Sequence, residues 1–172
     1  MKKFLFLLMA LLLISNCKDR EQDTTVLPPA TQEGKNTGGA LVNGQVWVAK
    51  IEYPDLNPGG NNTEYIYSSG EYKLKVVLRN ISEPTTIINI NIKSLNDLTN
   101  TTYYLNDGND FGMFLKSDLL FYQTNNINTG SITITKFDKV NKFVSGTFSF
   151  MAKNANGDIV TITEGRFDRK FL

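Results

Sequence analysis

"SGTFSFMAKNANGDIVTITEGRF", residues 145–167, decides the fold class. Its first half alternates Phe148, Phe150 and Ala152 with Thr147, Ser149 and Lys153. Successive side chains of a strand point to opposite faces, so this pattern is a strand with one face on a core and the other in water. Asn156-Gly157 interrupts it, and an Asn-Gly pair accepts the positive φ of a type I′ hairpin turn. A second strand then begins at "DIVTITEG". Gly146 and Gly165 fall inside strand patterns, where a missing side chain weakens the strand unless a bulge or close packing requires it. Phe148, Phe150, Phe167 and Phe171 are predicted core residues, and Glu164, Arg166, Asp168 and Arg169 read as solvent-facing charges on the last strand.

The same period extends outward. In "EYKLKVVLRN", residues 71–80, Tyr72, Leu74, Val76 and Leu78 oppose Lys73, Lys75 and Arg79. Ile88, Ile90 and Ile92 alternate with Asn89, Asn91 and Lys93, and Ile132 and Ile134 with Ser131, Thr133 and Thr135. Asn43-Gly44 separates "ALV" from "QVWVAKI" as a second hairpin turn, with Trp47 in the core. Asp107-Gly108 and residues 138–141 supply further turns, and the Pro-, Gly- and Asn-rich residues 53–64 a long loop. One wet face per strand implies antiparallel sheet. About ten short strands at this spacing predict an all-β antiparallel β-sandwich, with a closed β-barrel as the alternative.

At the other end, Lys2 and Lys3 precede an apolar run from Phe4 to Ile14, the layout of a secretory signal peptide. The run is roughly half of the ~20 residues a spanning helix needs. Ile14-Ser15-Asn16-Cys17 resembles the bacterial lipobox, in which the Cys is lipidated and becomes the first mature residue. Asn16 stands where that signal usually has Gly, Ala or Ser. The charged residues 18–23, "KDREQD", resemble the export signal of surface lipoproteins in Bacteroidota. Residues 1–16 are thus expected as signal peptide, 17–37 (with Pro28-Pro29) as a lipid-anchored flexible tether, and 38–172 as a single all-β domain.

"TGGALVNGQVWVAK", residues 37–50, and "ITKFDKVNKFVSGTFSFMAKNANGDIVTITEGRFDRKF", residues 134–171, resemble the opening and closing hairpins of a family of Bacteroidota outer-membrane lipoprotein domains of unknown function. The resemblance implies an envelope location and transfers no activity.

The chain has 18 basic and 17 acidic residues and no histidine. Near-neutrality leaves no field to steer nucleic acid. Without histidine no Ser-His triad, Cys–His pair or His-ligated zinc can form, and a lone Cys makes no disulfide. No cofactor is expected. Tyr103, Tyr104 and Tyr122 are candidate ligand-stacking residues, weighed against the core-filling role usual for aromatics in small β domains. Asp107, Asn109 and Asp110 share a glycine-rich loop with oxygen ligands of the kind calcium takes, but lack EF-hand spacing, so a plain hairpin turn is preferred and no metal is assigned. The expectation is a non-enzymatic cell-envelope lipoprotein, held to the outer membrane through lipid on Cys17 and exposed at the cell surface. It binds a glycan, peptide or envelope partner. A periplasmic structural or assembly accessory is the alternative, and a carboxylate-dependent hydrolase the third reading.

Overall fold

Eleven strands form among the described residues: β1 (Thr37–Val42), β2 (Gln45–Val48), β3 (Glu64–Ser68), β4 (Glu71–Asn80), β5 (Thr86–Ser94), β6 (Thr102–Leu105), β7 (Phe111–Lys116), β8 (Phe121–Gln123), β9 (Gly130–Asp138), β10 (Phe143–Lys153) and β11 (Ile159–Lys170). The computed structural model describes residues 23–50, 63–82, 84–106, 108–116 and 120–171. The signal segment, Cys17, Asp107 and most of the 53–64 loop lie outside the described residues.

All strand pairs are antiparallel, and they join in the order β2-β1-β11-β10-β8-β7-β5-β4-β3. The sheet forks at β10. Residues 143–150 pair with β9, which carries β6, whereas Lys153 pairs with Gln123 of β8. This is a strongly curled, open half-barrel, not the expected sandwich, and β2 and β3 end its main path in place of barrel closure. Two isolated bridges, Lys50 to Asn80 and Thr63 to Phe171, tie the two ends of the curl together.

Curling has a local cause. β11 carries one extra residue against both neighbours: Gly39 and Leu41 of β1 oppose Arg166 and Thr163, and Phe148 and Phe150 of β10 oppose Gly165 and Ile162. A bulge of this kind bends a strand and sharpens its twist. Gly165 lies so close to Phe148 that an added Cβ would stand 2.5 Å from the ring and 2.6 Å from the Phe148 carbonyl oxygen. The glycines in the strand patterns are therefore close-approach sites that let aromatic rings lie flat inside the curl. Gly146 is one as well, with Phe167 at 2.8 Å from the position of its missing Cβ.

The alternating patterns meet inside that curl. Leu74, Val76, Leu78, Ile88, Ile90, Ile92, Ile132 and Ile134 are buried with Phe148, Phe150, Phe167 and Phe171. Trp47 joins them, its indole N–H donating to Thr86 Oγ1 at 2.8 Å. Asn43 and Gly44 both take positive φ, 50° and 78°, as the two-residue turn demands. The Asn156-Gly157 connection differs. Only Gly157 has positive φ there, in a loop where Asn154 N–H donates to the Asp158 carbonyl and the Asn154 side chain grips Asp158. A third tight turn, Ser69-Gly70 with φ of 56° and 83°, joins β3 to β4.

The latter part of the segment expected as tether lies on the domain. Pro28 and Gly34 are buried, and the chain from Thr31 to Asn36 crosses β11 as a strap.

Candidate functional site

Residues facing each other across antiparallel strands share a face of the sheet. The register therefore assembles rows on the solvent face of β6, β9, β10 and β11. Tyr104, Ser131 and Ser149 form one, ending beside the bulge residue Glu164. Thr102, Thr133, Thr147 and Arg166 form the next, with Thr102 and Thr133 hydroxyls 2.8 Å apart. Lys136, Ser145, Asp168 and Thr37 form the third.

The third row is sealed by the strap. Asp168 is 1% exposed and accepts five hydrogen bonds. Thr31 Oγ1 (2.6 Å), Glu33 N (3.0 Å) and Lys35 N (3.1 Å) donate to its Oδ2, and Gly34 N (2.7 Å) and Ser145 Oγ (2.7 Å) to its Oδ1. Burial by itself would raise this carboxyl, but the donors, led by Thr31 and Ser145, outweigh it and hold the group down at about 2. Next to it, Arg169 Nη1 donates to the Asn36 carbonyl at 2.8 Å, and the Lys170 N–H to Asn36 Oδ1 at 2.9 Å. Burial lowers the Arg169 pKa. Asp168 and Arg169 are thus not the solvent-facing charges expected from the sequence. Asp168 faces the strap, a segment remote in sequence, while Arg169, on the other face of β11 beside Val144, reaches the Asn36 carbonyl at the strap's end.

The other two rows stay open. Between them lies a trough of about 420 Å³ lined by Ser131, Thr133, Thr147, Ser149, Glu164 and Arg166, together with Phe148, Gly165 and Ala30, the residue just ahead of the strap. Glu164 has φ of +50° at the bulge, a left-handed conformation that glycine and asparagine accept and that costs a glutamate. Its carboxylate lies 3.6 Å from Arg166 Nη2, and Arg166 Nε donates to the Glu164 carbonyl at 3.2 Å. The charged pair is electrically neutral, so the trough combines short hydroxyl side chains, which donate and accept, with one donor head and one acceptor head.

Of the three tyrosines singled out from sequence, only Tyr104 belongs to this face, and it is 77% exposed. Tyr103 turns inward against the core, its hydroxyl accepting from Thr99 N at 3.1 Å. Tyr122 is buried on β8, its ring 6.3 Å from that of Phe114. Consecutive residues of one strand cannot share a face, which separates Tyr103 from Tyr104. The structure does not gather the three into one platform.

The proposed oxygen-ligand loop is engaged elsewhere too. Asn109 Oδ1 accepts from Lys93 Nζ at 2.8 Å, and Asp110 Oδ1 from Lys93 N at 2.6 Å. Burial raises the Asp110 carboxyl above its ordinary value despite these Lys93 contacts. Among the described residues no group of three or more His, Cys, Asp or Glu side chains stands ready for a metal.

A second polar cluster joins elements remote in sequence. Tyr65 donates to Asp97 Oδ1, Lys139 Nζ donates to Asp97 Oδ2, and the same ammonium lies 5.6 Å from the Tyr65 ring centroid. Burial, then the Asp97 carboxylate, pushes the Tyr65 phenol well above its usual value. Asp97 is lowered, because its bonds from Lys139 and Tyr65 outweigh burial. Phe137 and Phe171 pack edge-on against Tyr65, so this cluster locks β3 to β9 and the chain end.

The trough itself was half visible in the sequence. Alternation of Thr147 and Ser149 with Phe148 and Phe150 marks a wet face, but the partners on β6, β9 and β11 come only from register. Neither a curated protein nor a solved structure matches the chain. A family model described as a domain of unknown function, DUF6252, matches residues 39–169. That span takes in every strand from β2 to β10 and most of β1 and β11, and the chain accordingly belongs to the DUF6252 family.

Proposed function

We propose that the chain is an envelope lipoprotein, anchored to the outer membrane through lipid on Cys17 and displayed at the surface. Its domain is a non-enzymatic binding module, and the hydroxyl-lined trough on β9, β10 and β11 is its ligand site. One observation carries the assignment of the site. On a single sheet face, one row is sealed by the chain's own strap, while the two adjoining rows remain an open concavity lined by short polar side chains and a backbone-strained Glu164. Strained residues cluster at ligand sites because the surrounding fold holds them against their own preference. The disposition of carboxylates supports binding over hydrolysis: Asp168, Asp97 and Asp110 each hold a turn or strap, and Glu164 pairs with Arg166.

The test is photo-crosslinking on cells of the native host producing the full-length protein. A photoreactive amino acid replaces Ser149 in the trough or, as control, the 91% exposed Val140 in the β9–β10 turn. Adducts formed at position 149 and not at 140 are expected, together with loss of the protein from the membrane fraction in Cys17→Ala. Equal adduct yields at both positions, or none at either, would overturn the assignment of the trough.

A further inference from the structure

The chemistry of the trough names its ligand class, an inference that rests on the trough being the binding site. The geometry points to a neutral glycan chain laid across the strands, with one sugar ring on Tyr104 and the hydroxyls of the next rings shared among Ser131, Ser149, Thr147 and the Glu164–Arg166 pair.

The other polymers fit poorly. An extended peptide gains most of its affinity on a sheet by pairing its backbone with an open edge. Here β9, β10 and β11, which carry the trough, are each paired on both sides, so an open edge is left only at its rim, on β6. A nucleic acid needs unpaired cationic charge for its phosphates. The trough's single guanidinium already faces Glu164 at 3.6 Å. A lipid surface needs a broad apolar patch, whereas the apolar part of this lining, Phe148 with Ala30 and Gly165, is interspersed with hydroxyls and charges.

A glycan fits each feature. Serine and threonine hydroxyls donate and accept, matching sugar hydroxyls of either sense, and they lose little rotamer freedom on binding. The Glu164 carboxylate accepts from two adjacent sugar hydroxyls while Arg166 donates to a third. The bulge fixes the backbone from which that carboxylate extends. The 77% exposed Tyr104 ring offers an apolar face for the C–H side of a pyranose. From Tyr104 to Glu164 the face crosses three inter-strand steps, about 14 Å at the usual spacing, the length of a short run of linked pyranose rings.

The experiment is affinity electrophoresis of the full-length protein in detergent micelles through gels containing glycogen, laminarin, mannan or arabinoxylan, with alginate and heparin as anionic counterparts. Retardation by at least one neutral polysaccharide is expected. Tyr104→Ala should weaken it at least tenfold and Glu164→Gln at least fivefold. Thr147→Val, which keeps strand propensity and shape but removes a hydroxyl, should weaken it about threefold. Thermal melts of the three variants establish that each is folded. Retardation by the anionic polymers alone, by none of the six, or by a neutral polymer with all three variants unaffected would overturn the glycan. If adducts still form at position 149 in that case, the trough remains a binding site and only its ligand class falls. If adducts fail as well, both readings fall.

Discussion

Replacing Asp168 by Asn removes one charge from the clasp that fastens the strap, and its cost can be worked from the donors. Three of the five, the Glu33, Gly34 and Lys35 amides, are fixed N–H groups that cannot turn around. The Thr31 and Ser145 hydroxyls can rotate to accept. In its better orientation the Asn oxygen takes the place of Oδ2, and its NH₂ then faces the Gly34 N–H. At least one buried backbone donor is left unsatisfied, which costs about 1–3 kcal/mol, and the remaining bonds lose their charge assistance. The expected destabilisation is about 2–3 kcal/mol, a fall in Tm of roughly 6–10 °C for a domain of this size. Urea melts measure the loss, and amide exchange at Glu33, Gly34 and Lys35 shows whether the strap opens first. The wild-type clasp also carries a pH signature. Because the folded carboxyl is held down at about 2, its contribution is complete above the unfolded value near pH 4. It is lost as pH falls from 4 towards 2, about 1–2 kcal/mol after screening by nearby solvent is allowed for. The Asn variant should lack that acid limb. A variant that melts with wild type and keeps those three amides protected would refute the clasp.

Gly165→Ala should destabilise by about 1–3 kcal/mol in urea melts, since the new methyl meets the Phe148 ring and carbonyl, and the change overpacks the bend of the half-barrel. Glu164→Gly relieves the left-handed backbone, so its stability should be unchanged or higher by up to about 1 kcal/mol while retention by neutral polysaccharide falls, a split read by melts and affinity gels on one sample. Tyr65 has its phenol pKa raised in the folded state, so its contribution to stability is full below about pH 10 and declines as pH rises above that value. Tyr65→Phe should flatten the alkaline limb of the stability curve. An unchanged limb would separate Tyr65 from Asp97 and Lys139.

Alternation of apolar and polar residues in β4, β5, β9 and β10 determined the strands and their buried faces without any tertiary information, because a side-chain period of two leaves one choice of inward face. Asn43-Gly44 likewise determined its turn, since few other pairs accept positive φ twice. The Asn156-Gly157 pair did not, because Asn154 and Asp158 brace each other across a longer loop. Ser69-Gly70 shows the converse, a tight turn formed with serine in the first left-handed position.

Layer architecture lay beyond the sequence. Period two says which side of a strand is wet and not whether the sheet stacks on a second sheet or curls on itself. Here the sheet curls into a half-barrel with bulges in its register, one residue more on β11 than on both β1 and β10 at Glu164 and one more on β9 than on β10 beside Gly146. The fates of the charges on the last strand followed. Asp168 was buried by a strap more than 130 residues away in the chain, whose Asn36 carbonyl also receives the Arg169 guanidinium, contacts that no local pattern encodes. The tyrosines parted company for the same reason: alternation separates Tyr103 from Tyr104, but only the fold put Tyr122 in the core and Tyr104 in line with Ser131 and Ser149. Local residue chemistry thus determined the strands and the wet face. Register between strands far apart in sequence decided which wet residues stand side by side, and thereby where a site can exist.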